Sequence, residues 1–104
     1  MTRFLVLYRS TVSAADQMAN ADPEAGAASM QAWMDWAARS AEAIVDLGAP
    51  TQTLAGGEPG SFIGGYSLMQ AASLGELESV LADHPHRSWG GTIEILEALE
   101  LPGM

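Results

Sequence analysis

The run Asp83-His84-Pro85-His86-Arg87-Ser88-Trp89 is the densest cluster of chemistry-bearing side chains in the chain, and it holds both of its histidines. An imidazole exchanges a proton near neutral pH, and a carboxylate beside it can orient it for general acid–base work. Either histidine, His84 or His86, is therefore a candidate acid or base, with Asp83 or Asp46 as the orienting carboxylate. Arg87 and Trp89 are candidate ligand contacts. Trp36 and Tyr66 are candidates for an aromatic wall that would suit a flat ligand. The plainer alternative is a solvated helix end, where basic side chains simply offset the negative pole of the helix dipole.

Residue types exclude several other chemistries. The chain has no cysteine, which removes disulfides, thiolate nucleophiles and Cys-based metal sites. Two histidines separated by Pro85, with no evident third ligand, give no reason to expect a metal. Gly64-Gly65 and Gly90-Gly91 lack the spacing and the lysine of a phosphate loop, and read instead as bulges or close strand approaches. No Gly-x-Ser-x-Gly element occurs, and no cofactor is expected. What remains is proton transfer on a small organic molecule, of lyase or isomerase type. The rival reading is a non-catalytic dimer that binds a ligand or regulates a partner.

Thirteen acidic residues stand against four arginines and no lysine, a net charge of −9. Such a surface repels nucleic-acid backbones and anionic membranes. The five apolar residues Phe4 to Tyr8 between Arg3 and Arg9 are too few for a signal-peptide core or a membrane span. The cytoplasm is the expected compartment.

These residues need elements to position them, and 104 residues are the length of one domain, 1–104. Arg3 to Arg9 alternates as a strand with apolar residues on both faces, so both faces need cover. Residues 10–22 read as a variable loop or a short helix capped by Ser13. Asp22-Pro23-Glu24 is a helix start. Its apolar stripe is Met30, Trp33, Met34, Ala37, Ala41, Ile44 and Val45, which puts Trp33 in the core and Trp36 off the stripe. Asp35 and Arg39 form an i,i+4 pair on the outer face, and Gly48 stops the helix. Thr51–Leu54 and Phe62–Ala71 read as a hairpin around Ala55–Gly60. Ser73-Leu74-Gly75-Glu76 is a capping box opening a second helix that Pro85 ends. Thr92–Leu96 is a last strand. The order is βαββαβ, a ferredoxin-like α+β fold with a four-stranded antiparallel sheet and two helices on one face. A second copy covering the bare face would make a homodimer, a dimeric α+β barrel.

Gly64-Gly65-Tyr66-Ser67-Leu68-Met69-Gln70-Ala71-Ala72-Ser73-Leu74 resembles the third-strand signature of the YCII-related family. Pro85-His86 followed by Gly90-Gly91-Thr92-Ile93-Glu94-Ile95 is similar to its downstream motif. Ala32-Trp33-Met34-Asp35-Trp36 and Val45-Asp46-Leu47-Gly48-Ala49-Pro50 are similar to its first helix and exit. The resemblance spans most of residues 30 to 97. It implies a ferredoxin-like fold, a dimeric α+β barrel and, for some members, a small enzyme with a His–Asp pair. His86 matches the family's histidine position and His84 does not, so the resemblance implies His86 as the acid or base. Residues 10–29 depart from the family, and Gly57-Glu58-Pro59-Gly60 replaces the Asp-Gly-Pro-Phe turn of a related branch.

Overall fold

A computed structural model of the chain describes residues 1–19 and 22–102. Four strands form one antiparallel sheet: β1 (Thr2–Ser10), β2 (Ile44–Asp46), β3 (Phe62–Ala71) and β4 (Thr92–Glu97), in the order β2-β3-β1-β4. The helices are α1 (Ala14–Ala19), α2 (Pro23–Arg39), α3 (Leu74–Leu81) and the single turn α4 (Pro85–Ser88). This is the ferredoxin-like α+β arrangement. Residues 20 and 21 of the stretch read as a variable loop lie outside the described residues.

Strand alternation sorts β1 into two faces. Phe4, Val6 and Tyr8 are buried with Met69 and Ala71 of β3, Leu77 and Leu81 of α3, and Trp36 of α2. Leu5 and Leu7 point the other way and are only half-buried. Pairing places Leu68, Leu5 and Leu96 in one cross-strand row on that helix-free side. The pairing of β1 with β3 slips beyond Tyr8, so Gly64 stands opposite no residue of β1 and forms a bulge.

The helix starts follow their local chemistry. Ser13 caps α1, its Oγ accepting the Asp16 N–H at 3.1 Å. Asp22 precedes Pro23 at the start of α2. Ser73 Oγ accepts the Glu76 N–H at 3.2 Å, and the Glu76 carboxylate accepts the Ala72 N–H at 3.1 Å. This reciprocal clamp ties α3 to the end of β3.

Three expectations need correction. The first long helix ends at Arg39; a 3-10 turn (Ala41–Ala43) follows, and Ile44 and Val45 belong to β2 rather than to the helical stripe. Two adjacent β-branched residues favour a strand there. Thr51–Leu54 is not a strand, although Thr51 still bonds β3 through its N–H to Gly64 O at 3.0 Å and its hydroxyl to Ile63 O at 2.7 Å. Asp35 and Arg39 do not pair: Asp35 accepts from Gln31, and Arg39 reaches Asp83 at 3.0 Å.

Candidate functional site

The two histidines are positioned by α4. After α3 the chain turns, Pro85 takes the first helical position, and His84 becomes the N-cap. The Nδ1 atom of His84 accepts the backbone N–H of His86 at 3.0 Å. Nδ1 therefore carries no proton, and the neutral ring holds its hydrogen on Nε2. That atom is buried with no hydrogen-bond partner. The ring is enclosed by aromatics, with centroid separations of 4.8 Å to Tyr8, 4.4 Å to Trp33 and 4.3 Å to Trp36. Burial pushes the His84 pKa down to about 4; the charges of His86 and Arg87 act in the same direction and Asp83 opposes them. His84 is thus a neutral peg between sheet and helix.

His86 is held differently. Its Nε2 lies 2.8 Å from the Arg9 carbonyl oxygen. A carbonyl only accepts, so Nε2 bears the hydrogen, and in the neutral ring Nδ1 keeps a lone pair. The Nε2 end of the ring occupies the space that a side chain at position 91 would fill: a Cβ on Gly91 would overlap Nε2, Cε1 and Cδ2. The Gly91 N–H closes the turn onto the His86 carbonyl at 3.1 Å.

His86 lines a cavity of about 360 Å³ between α2, β1 and the segment Leu47–Pro50. Trp33 and Trp89 flank it with near-parallel rings 6.3 Å apart and 28° between planes, and Met30 and Met34 extend the apolar wall. Tyr8 borders it from β1, its hydroxyl 2.7 Å from Ser67 Oγ, which in turn donates to Leu47 O at 2.6 Å. Gly65 opens room beside the Tyr8 ring, and Gly48 lies so close to Tyr66 that any Cβ would overlap the Tyr66 carbonyl. No Asp, Glu or Arg is among the described lining residues. A volume near the lower end of ligand cavities suits a single ring with a few substituents. A more open cleft between α3 and β4 is lined by Leu74, Glu78, Ala82, Arg87, Ile93 and Ile95 and contains no histidine.

The predicted site residues divide between these places. His86, Tyr66 and Trp89 border the cavity, Tyr66 beside Gly48, although strand alternation turns its Cβ to the helix-free side. Arg87 faces the other cleft, its Nε donating to Leu81 O at 3.1 Å. Trp36 is a correction: it is wholly buried, with Nε1 donating to Val80 O at 3.1 Å, and does not reach the cavity. The carboxylates are corrections as orienting groups. Asp83 is exposed and paired with Arg39, and Asp46 accepts the Gly48 N–H at 2.8 Å. Among the described residues neither forms a hydrogen bond to a histidine. No group of three or more His, Cys, Asp or Glu side chains that could hold a metal ion occurs among the described residues.

Tyr8, Trp33, Met30 and Met34 escaped the sequence reading of the site. The inward stripe of α2 is Ser29, Ala32, Trp33, Trp36 and Ala37, rotated from the expected one. Met30 and Met34 flank it and meet the cavity. The two tryptophans, three residues apart, share a face; the signal available was that pair.

The chain matches no family model, and no curated protein matches it. Among solved structures it is similar to 5-chloro-2-hydroxyhydroquinone dehydrochlorinase (TftG) from Burkholderia phenoliruptrix AC1100, in complex with 2,5-dihydroxybenzoquinone. The TM-score is 0.51 at 21% identity, covering 88% of this chain and 90% of that one. The likeness concerns the fold.

Proposed function

We propose that the chain is a small YCII-like enzyme of lyase or isomerase type, working without a cofactor, that moves a proton on a flat organic molecule held in the His86 cavity. The observation that carries this reading is the orientation of His86. Its Nε2–H is pinned to the Arg9 carbonyl at 2.8 Å, so the ring is fixed in direction, His86 lines the cavity, and Nδ1 is left as the nitrogen able to take a proton. When Nδ1 takes a proton, the Nε2–H bond to Arg9 O becomes charge-assisted and strengthens. A backbone carbonyl thereby does the orienting expected of Asp83 or Asp46. In an elimination, the substrate proton moves to Nδ1, the released electron pair forms the new double bond, and the leaving group departs as an anion. In an isomerisation, His86 returns the proton to a different carbon. Trp33 and Trp89 hold the ring. The name and bound quinone of the fold neighbour support a cyclic, oxygenated substrate.

The test is turnover of hydroxylated and halogenated single-ring compounds by the wild type and His86→Gln. A loss of about a hundredfold or more is expected for a general base. Undiminished turnover by the variant would remove His86 from the chemistry. A second reading, a non-catalytic ligand-binding or regulatory module, is favoured by one observation: among the described residues no carboxylate forms a hydrogen bond or ion pair with His86. It predicts tight binding of a ring compound with no conversion.

The working unit in this proposal is a cytoplasmic homodimer closed through the helix-free sheet face. The row Leu68–Leu5–Leu96, beside Leu7, is the apolar strip a second copy would cover. No described helix is long and apolar enough to cross a membrane, and the net charge of −9 disfavours nucleic acid as a partner.

A further inference from the structure

We infer that the cavity selects uncharged ring compounds that donate a hydroxyl hydrogen bond, and that Tyr8 receives that bond. The inference rests on the reading of the cavity as a ligand site and adds the chemistry of what enters it.

Hydrogen-bond direction decides what the cavity can accept. The Leu47 carbonyl can only accept, so the single hydroxyl hydrogen of Ser67 is spent on it at 2.6 Å. Ser67 Oγ must then accept from Tyr8, which spends the phenolic hydrogen across 2.7 Å. Burial raises the Tyr8 pKa, so the phenol keeps that hydrogen. Tyr8 Oη is left with lone pairs and nothing to give. The Arg9 carbonyl imposes the same sense on His86, whose Nε2–H is committed and whose Nδ1 accepts. Two backbone carbonyls thus fix both of these cavity groups as acceptors.

Charge points the same way. The described lining has no Arg to receive a carboxylate or a phosphate, and the net charge of −9 opposes any anion. A ligand with a carbonyl or an ether oxygen in place of the hydroxyl would set lone pair against lone pair at Tyr8. A neutral phenol or enol completes the chain ligand O–H, Tyr8, Ser67, Leu47.

The experiment compares phenol, anisole, acetophenone and benzoate, followed through the amide resonances of Gly65, His86 and Gly91 during titration. Phenol is expected to bind about tenfold more tightly than anisole, the size of one hydrogen bond, and benzoate at least as weakly as anisole. In Tyr8→Phe the gap between phenol and anisole closes. In Ser67→Ala the phenolic hydrogen of Tyr8 is freed, and acetophenone gains about fivefold relative to phenol. Should Tyr8→Phe not fold, Ser67→Ala alone decides. Equal binding of phenol and anisole by the wild type, or an unchanged acetophenone-to-phenol ratio in Ser67→Ala, overturns this inference and leaves the site standing. Absence of binding by all four compounds overturns the site and the inference together.

Discussion

Acid should unfold this protein earlier than its carboxylates alone would require, because His84 is buried in its neutral form. The ring has no exposure, sits against Tyr8, Trp33 and Trp36, and uses Nδ1 to cap α4. Its pKa falls from 6.5 to about 4 in the folded chain, chiefly through burial. In the unfolded chain the imidazole takes a proton once the pH drops below 6.5, while the folded one refuses it until about 4. The unfolded state therefore binds more protons in that window, and stability declines as pH falls through it. At roughly 1.4 kcal/mol per pH unit, the full loss by pH 4 is about 3 kcal/mol. In a domain of this size that corresponds to a drop in Tm of about 10–25 °C. Urea melts at intervals from pH 7 to pH 4 measure it, with His84→Asn as the control. Asparagine keeps an acceptor at the N-cap but does not titrate. The variant's stability should fall more gently over the same interval, the two curves converging by about 3 kcal/mol. Parallel curves would mean that burial does not suppress the charge on His84, and the reasoning about the aromatic enclosure would fail.

Other perturbations have equally definite outcomes. Gly91→Ala puts a Cβ into the ring of His86 and should cost about 1–3 kcal/mol, with most of the loss recovered when His86→Ala is added; denaturant melts of the single and double variants read this directly. Gly48→Ala places a side chain at φ +83 against the Tyr66 carbonyl and should cost about 2 kcal/mol or more, visible as a lower urea midpoint and loss of the Gly65 amide shift. Leu7→Glu, on the helix-free face, should convert a dimer to a monomer in light scattering; a wild type already monomeric at micromolar concentration would remove the dimer from the proposal.

Much of the fold was open to a reading of periodicity. The alternation from Phe4 to Tyr8, the start at Asp22-Pro23 and the box at Ser73–Glu76 each reflect local physics that the tertiary structure leaves in place. The second strand was hidden because Ile44 and Val45 continue the helical spacing of Ala37 and Ala41. Only the break at Ser40 and the pairing with β3 separate them from the helix. The run holding both histidines stood out through its density, which did not by itself separate His86 from His84. The partner of His86 could not be read, because the group at Nε2 is the backbone carbonyl of Arg9, and any residue type supplies a carbonyl. The carboxylate of Asp83 went instead to Arg39, 44 positions away, a pairing no local spacing encodes. Tyr8 was concealed by its regularity: in sequence it is one more inward residue of a strand, and its role depends on Ser67 and Leu47 brought alongside by the sheet.

A crystal structure of the chain soaked with phenol reports on the cavity and on His86 at once. Electron density for the ring is expected beside Trp33, with the phenol oxygen within hydrogen-bond distance of Tyr8 Oη and the His86 Nε2 contact to Arg9 intact. Density confined to the cleft between α3 and β4, or an imidazole swung away from Arg9, would contradict this expectation.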